Sequence, residues 1–262
     1  MAKDSELMDR RKFLCKSAIF FTGSLLGLNY FSRALAADNS INQPRIALII
    51  DDIGFSRSRL RSFLEIGAPL TFAVLPRLAK SRVLAEEIHT HGHEIMLHQP
   101  MEPLDPHLDP GPGAVYVGDE ANKIVRIMEK NISDVPFVTG LNNHMGSRFT
   151  ACQKEMKEAL KVIKTKGLFF VDSLTTSRSM AYKTARRLNI ATAYRNVFLD
   201  NYPVETDILS QLYKLKKHAM RSGHAIGIGH PYPETARAIE SFKRVLKESG
   251  ISMVHISRLI PV

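Results

Sequence analysis

From Arg45 onward the chain alternates strand-length apolar runs with amphipathic stretches, and this alternation limits the fold more than any other feature. Strand-like runs lie near 45–50, 70–75, 94–97, 137–141, 168–171, 191–194, 225–229 and 252–256. Helical spacing fills the gaps. Met156, Leu160 and Ile163 share one face before Gly167, as do Ile239, Phe242 and Leu246 before Gly250. Repeated βα units build a parallel sheet, and seven or eight of them imply an α/β barrel or a strongly curved relative. With no linker, low-complexity tract or internal repeat, residues 37–262 read as one domain.

The ends of these runs carry the chemistry. Ile46-Ala47-Leu48-Ile49-Ile50 is followed by Asp51-Asp52, and later runs finish at His98, His144 and His230. Adjacent carboxylates oppose each other's ionisation unless a cation or proton compensates. The plainer reading of Asp51-Asp52 is a cap for the next helix, and a single histidine is more often structural than functional. A parallel α/β fold, however, gathers the carboxyl ends of all its strands on one face, so these residues converge there.

Residues 1–36 read as an export leader. Asp9-Arg10-Arg11-Lys12-Phe13-Leu14 is a twin-arginine signature, followed by the uncharged stretch from Ser17 to Ser32 and the small-x-small cleavage site Ala34-Leu35-Ala36. The expected location is therefore periplasmic or secreted, with no stable membrane span after the signal is removed. Cys15 falls in the leader, which leaves Cys152 alone, so the mature chain holds itself together by packing and not by a disulfide. The whole chain carries a net charge of +10, and losing the leader's six basic and three acidic residues leaves +7. No basic run is interleaved with aromatics, so nucleic acid is not an expected partner.

Between Gln99 and Gly118 periodicity lapses, and Pro100, Pro103, Pro106, Pro110 and Pro112 accumulate. A loop this long beginning at a strand end on the functional face reads as a substrate-binding lip. The cluster His89, His91, His93 lies at the opposite end of the same strand and reads as surface histidines.

On these residues the chain resembles the divergent polysaccharide deacetylases, a branch of the carbohydrate esterases with a distorted (β/α) barrel. The resemblance runs over about residues 44–260. Asp51-Asp52-Ile53-Gly54 is similar to the first motif of that superfamily, which implies Asp51 as general base and Asp52 as metal ligand. Gly92-His93-Glu94-Ile95-Met96-Leu97-His98 is similar to the second, with His98 a ligand, although Glu102 stands where the usual second histidine falls. Asn142-Asn143-His144-Met145-Gly146-Ser147 resembles the third motif of the divergent branch and offers His144 as the replacement. Gly227-Ile228-Gly229-His230 resembles the last, which implies His230 as general acid.

The resemblance implies a divalent metal, most readily zinc, on Asp52, His98 and His144, a set that leaves a position for water. Glu102 is the reserve ligand. Asp172, which ends Leu168-Phe169-Phe170-Val171, is either a tether for Arg195 or His230 or a helix cap. Arg195 and Arg148 compete as the arginine beside the base. With no Trp in the chain, the aromatic candidates for sugar stacking are Tyr116, Tyr194, Tyr202, Tyr232 and Phe149, and Asn143 and Tyr232 are assigned to substrate.

The implied activity is metal-dependent de-N-acetylation of an N-acetylhexosamine-containing envelope or extracellular polysaccharide. The alternative is a periplasmic relative that binds glycan or a partner protein without turnover. A two-metal phosphoesterase fits less well, because it needs more carboxylates than these strand ends provide.

Overall fold

The computed structural model describes residues 43–260; the leader and its cleavage site lie outside them. In chain order the elements are β1 (Arg45–Ile53), α1 (Arg57–Leu64), β2 (Thr71–Val74), α2 (Ser81–Thr90), β3 (Glu94–Met101), α3 (Ala121–Asp134), β4 (Val138–Met145), α4 (Gln153–Thr165) and β5 (Phe169–Asp172). They continue as α5 (Ala181–Arg187), β6 (Thr192–Tyr194), β7 (Val197–Phe198), α6 (Glu205–Ser222), β8 (His224–Gly229), α7 (Pro233–Glu248) and β9 (Ser252–Met253). The strands lie in the order β6-β5-β4-β3-β2-β1-β8-β7, with β9 beside the start of β1. Every strand pairing is parallel. This is the distorted (β/α) barrel expected from the sequence.

The distortion has a definite place. The run near 191–194 continues into β7, and only Arg195 and Asn196 separate the two short strands. The first half of this bent segment pairs with β5, and the second half pairs with β8. At the joint, the Asn196 backbone donates to Ile226 O at 2.9 Å, while its side-chain Oδ1 accepts from Ile226 N at 2.7 Å. The last expected strand is shortened to β9, and Ile256, Leu259 and Ile260 beyond it pack into the inner core.

Two apolar layers sort the side chains by parity, because successive residues of a strand face opposite ways. Ile46, Leu48 and Ile50 of β1 join the larger cluster between sheet and helices, whereas Ala47 and Ile49 join the smaller cluster inside the curl. Ile95 and Leu97 against Met96, Phe170 against Phe169 and Val171, and Ile226 with Ile228 follow the same rule. Extending each alternation to the strand's carboxyl end turns Asp51, His98, Asn142, His144 and His230 inward and turns Asp172 outward. Among the described residues no helix is long and apolar enough to cross a membrane.

Candidate active site

Asp51 reaches the site by parity, but Asp52 needs a break in the strand. The register of β1 against β2 shifts between Ile50 and Ile53, and Asp52 takes a left-handed backbone with φ 57°. A bulge of this kind re-aims a side chain, and it brings both neighbouring carboxylates to one place. Gly54 permits the exit, since a Cβ there would stand 2.8 Å from Leu78 Cδ1 at φ +148°.

Asp52 Oδ1 lies 3.0 Å from His144 Nδ1 and 3.2 Å from His98 Nε2, and the two imidazole nitrogens are 3.1 Å apart. Although buried, Oδ1 has no aligned hydrogen-bond donor. Three donor atoms thus form a nearly equilateral triangle. Ligands about 2.0–2.1 Å from a zinc-like ion stand roughly 3.0–3.4 Å apart, so this triangle suits such an ion.

The donor set is also pre-oriented. His98 Nδ1 lies 2.8 Å from Asn142 Oδ1, and Asn142 Nδ2 donates to Asp51 Oδ1 at 2.8 Å. An ionised carboxylate only accepts, which fixes the Asn142 amide and puts the proton of neutral His98 on Nδ1. The Nε2 lone pair then faces Asp52 and His144. Partners that fix a ligand's tautomer are part of a metal site.

The ionisable groups on either side of the triangle differ in environment. Burial raises the Asp51 carboxyl above its ordinary value, against the lowering charges of His98 and His230. Burial works in the same direction on Asp52, but the close approach of the His144 and His98 imidazoles outweighs it and holds that carboxyl well below normal. For His230 burial opposes the charged form. Its hydrogen bond to Asp200 and the charges of Asp51, Asp200 and Asp52 prevail, and its pKa rises to about 9. His230 Nδ1 lies 2.9 Å from Asp200 Oδ1, and its Nε2 points across the site to Asp52 Oδ2 at 3.8 Å. Asp200 is itself anchored, because its Oδ2 accepts from His230 N at 2.6 Å and Thr235 Oγ1 at 2.7 Å.

Other candidates have different employment. Glu102 is not among the clustered donors, since it pairs with Arg148 at 2.9 Å and accepts from Val117 N at 2.8 Å. Asp172 tethers the side chain of neither Arg195 nor His230. It accepts from Ser179 Oγ at 2.7 Å and from Tyr182 N at 3.1 Å in the first turn of α5, as its outward parity requires. Arg195 donates to the carbonyls of Ser173 and Leu174, lies over the Phe198 ring and contributes its charge at Asp51. Asn143 is buried and its amide serves the backbone of Ser173 and Met145. Phe149 is fully buried and cannot stack on a sugar. Tyr232 lines a pocket with Asp52 and His230, and Tyr194 lines another, away from this centre. His93 accepts from Leu70 N at the opposite end of the barrel.

The proline-rich loop does border the site. Asp109, Pro110, Gly111 and Pro112 line a cavity of about 210 Å³ with Asp52, Phe55 and His144. A buried clasp holds the loop: Gln99 Nε2 and Asn131 Nδ2 both donate to Gly113 O, at 3.0 and 2.8 Å, and Arg77 Nε donates to Asn131 Oδ1 at 2.7 Å. A Cβ on Gly113 would stand 2.5 Å from Asn131 Oδ1.

The model of the divergent polysaccharide deacetylase family matches residues 48–260. The chain belongs to that family. The uncharacterized Escherichia coli K12 protein YibQ is 31% identical over 231 residues, covering 88% of this chain and 72% of its own. A crystal structure of an uncharacterized protein from Agrobacterium tumefaciens C58 is 27% identical with a TM-score of 0.79, covering 83% of this chain and 89% of that one. The catalytic domain of a peptidoglycan N-acetylglucosamine deacetylase from Eubacterium rectale is similar in fold. Its TM-score is 0.52 at 12% identity, over 81% of this chain and 88% of that one. Family membership supports a carbohydrate deacetylase-like function for this chain. Asp200 and the amide of Asn142 are the site residues to which the sequence assigns no role. Asn142 stands inside the third motif, and its inward parity was the available signal.

Proposed function

We propose that this chain is a metal-dependent carbohydrate de-N-acetylase acting on an N-acetylhexosamine-containing polysaccharide of the cell envelope or exterior. The observation that carries the reading is the triangle of Asp52, His98 and His144, flanked by Asp51 and His230. One carboxylate and two imidazoles suit zinc. A divalent ion held there supplies Lewis-acid polarisation of the acetyl carbonyl and a more acidic water.

The chain's own groups divide the proton work. Asn142 engages Asp51 Oδ1 and leaves Oδ2 to take the proton of the attacking water. His230 holds a proton on Nε2 for the departing amine, while Asp200 fixes the ring through Nδ1. A base and an acid kept in distinct environments are what amide hydrolysis near neutral pH needs. The proposed site of action follows from the leader: export by the twin-arginine route to the periplasm or beyond, with residues 37–262 as the mature domain. Lysine at Arg10 and Arg11 should leave precursor in the cytoplasm, and unchanged processing would rule that route out.

The activity is tested by acetate release from chitooligosaccharides, peptidoglycan fragments and poly-N-acetylglucosamine with zinc-loaded protein. Release that stops on chelation and returns with metal is expected. Protein that holds its metal and releases no acetate from any of them would instead be a glycan-binding relative.

A further inference from the structure

Phe55 divides the surface over Asp52 into two arms. It is 62% exposed and lines both the loop-side cavity and a second one of about 200 Å³ that Ser56, Arg59, His230 and Tyr232 also border. The loop-side arm is walled by Leu75, Pro76, Leu78 and prolines, with Asp109 its ionisable group apart from Asp52 and His144. The other arm carries a cation. The two arms therefore differ in charge, and a chain laid across Phe55 meets a different environment on each side.

The state of that cation is specific to its position. On α1 the flanking Arg57 and Arg61 both turn to Glu87, with Nε at 2.7 and 3.7 Å from its carboxylate. Arg59 lies between them in sequence and lines the cavity instead, and among the described residues no carboxylate comes within 4.0 Å of it. Asp52, the one carboxylate of that cavity, belongs to the donor triangle. A guanidinium without a partner in a cleft presents a planar fork that matches a carboxylate. Tyr232, which lines the same cavity, supplies a ring with a polar tip.

We propose that Arg59 binds a carboxylate carried by the substrate glycan, so that this site takes an acidic N-acetylhexosamine polymer, one bearing uronic acid or carboxyl-ether groups, in preference to a neutral one. The inference rests on the deacetylase reading for the fate of the acetamide, but the recognition itself is a matter of binding. Phe55 and Tyr232 pack on the sugar rings, Arg59 takes the acid group, and the acetamide beside it is directed to Asp52. The loop-side walls, apolar but for Asp109 and without a cation to match Arg59, receive the neutral neighbour. Binding is thereby polar, with one chain direction favoured over its reverse.

The test is calorimetric binding of two tetrasaccharides to the zinc-loaded protein, one alternating N-acetylglucosamine with glucuronic acid and the other fully N-acetylated chitotetraose. The acidic chain should bind about five- to tenfold more tightly at low salt, and the gap should narrow as salt screens it. Arg59→Ala should abolish the gap and Arg59→Lys should keep part of it. Arg57→Ala, whose side chain is engaged with Glu87, should keep it whole. Equal affinities in the wild type, a gap that survives Arg59→Ala, or no binding of either probe overturns the proposal. Acetate release measured alongside separates the two readings. Turnover of both probes without preference sinks this inference alone, whereas acidic preference without acetate from either sinks the deacetylase reading and leaves this one standing.

Discussion

Asn142 holds His98 from behind: its Oδ1 sits 2.8 Å from His98 Nδ1, while its Nδ2 sits 2.8 Å from the Asp51 carboxylate. One amide thus sets the tautomer of the proposed metal ligand and steadies the proposed base. Asn142→Ala should weaken zinc binding by about 10- to 100-fold through loss of ligand orientation, read by competition with a chromophoric chelator. Affinity equal to wild type would mean that His98 needs no such support.

The two adjacent carboxylates should fail differently. Asp52→Asn, like His98→Ala and His144→Ala, should lose or weaken the metal by elemental analysis. Asp51→Asn should retain it yet lose about 10²-fold or more of acetate release, since an amide cannot accept the water's proton. His230→Ala should keep the metal too, and should harm amide substrates more than activated acetyl esters, whose leaving groups need little protonation. Metal loss in Asp51→Asn would reverse the assignment of the pair.

Asp200 makes His230 a strong base in the metal-free protein. Its imidazole should titrate near 9 instead of the ordinary 6.5, and Asp200→Asn should bring it down, as followed by histidine NMR. The sign for stability follows. A pKa raised by folding gives stabilisation that is complete below about 6.5 and is lost as pH climbs through about 9. Denaturant midpoints of metal-free wild type should therefore fall across that window, and more steeply than those of Asp200→Asn. Parallel curves would show that the pair is not coupled.

Gly140 of β4 has no room for a side chain. A Cβ would stand 2.1 Å from the Phe169 ring, which packs in the inner layer. Gly140→Ala should cost about 1–3 kcal/mol by overpacking, measured as a lower urea midpoint with an unchanged slope. A smaller ring, in Phe169→Leu, should recover part of the loss.

Most of this architecture was legible because strand parity and parallel topology follow from the apolar pattern alone. The same pattern places Asp51, His98, His144 and His230 on one inner rim. It also speaks against Asp172 as a tether: that residue shares its face with Phe170, which packs toward the helices. Asp52 breaks parity through its left-handed backbone, and no periodicity announces that. Asp200 was hidden for another reason. It follows β7, a two-residue strand too short to display any alternation, and its partner lies thirty residues away. Glu102 looked available because spacing cannot reveal that Arg148 and Val117 already occupy it.

The clasp of Gln99, Asn131 and Arg77 on the proline-rich loop has a bearing on how a polymer is admitted. A loop fastened at Gly113 through buried amides has given up conformational entropy there when the chain folds, so on the proposed reading a glycan would find a mould and not a closing lid. Such a wall selects by shape at the moment of encounter, and its contact with the polymer costs little further ordering. Under that reading, each new segment of a long chain would slide along a fixed wall, with no gate to reopen between one sugar and the next.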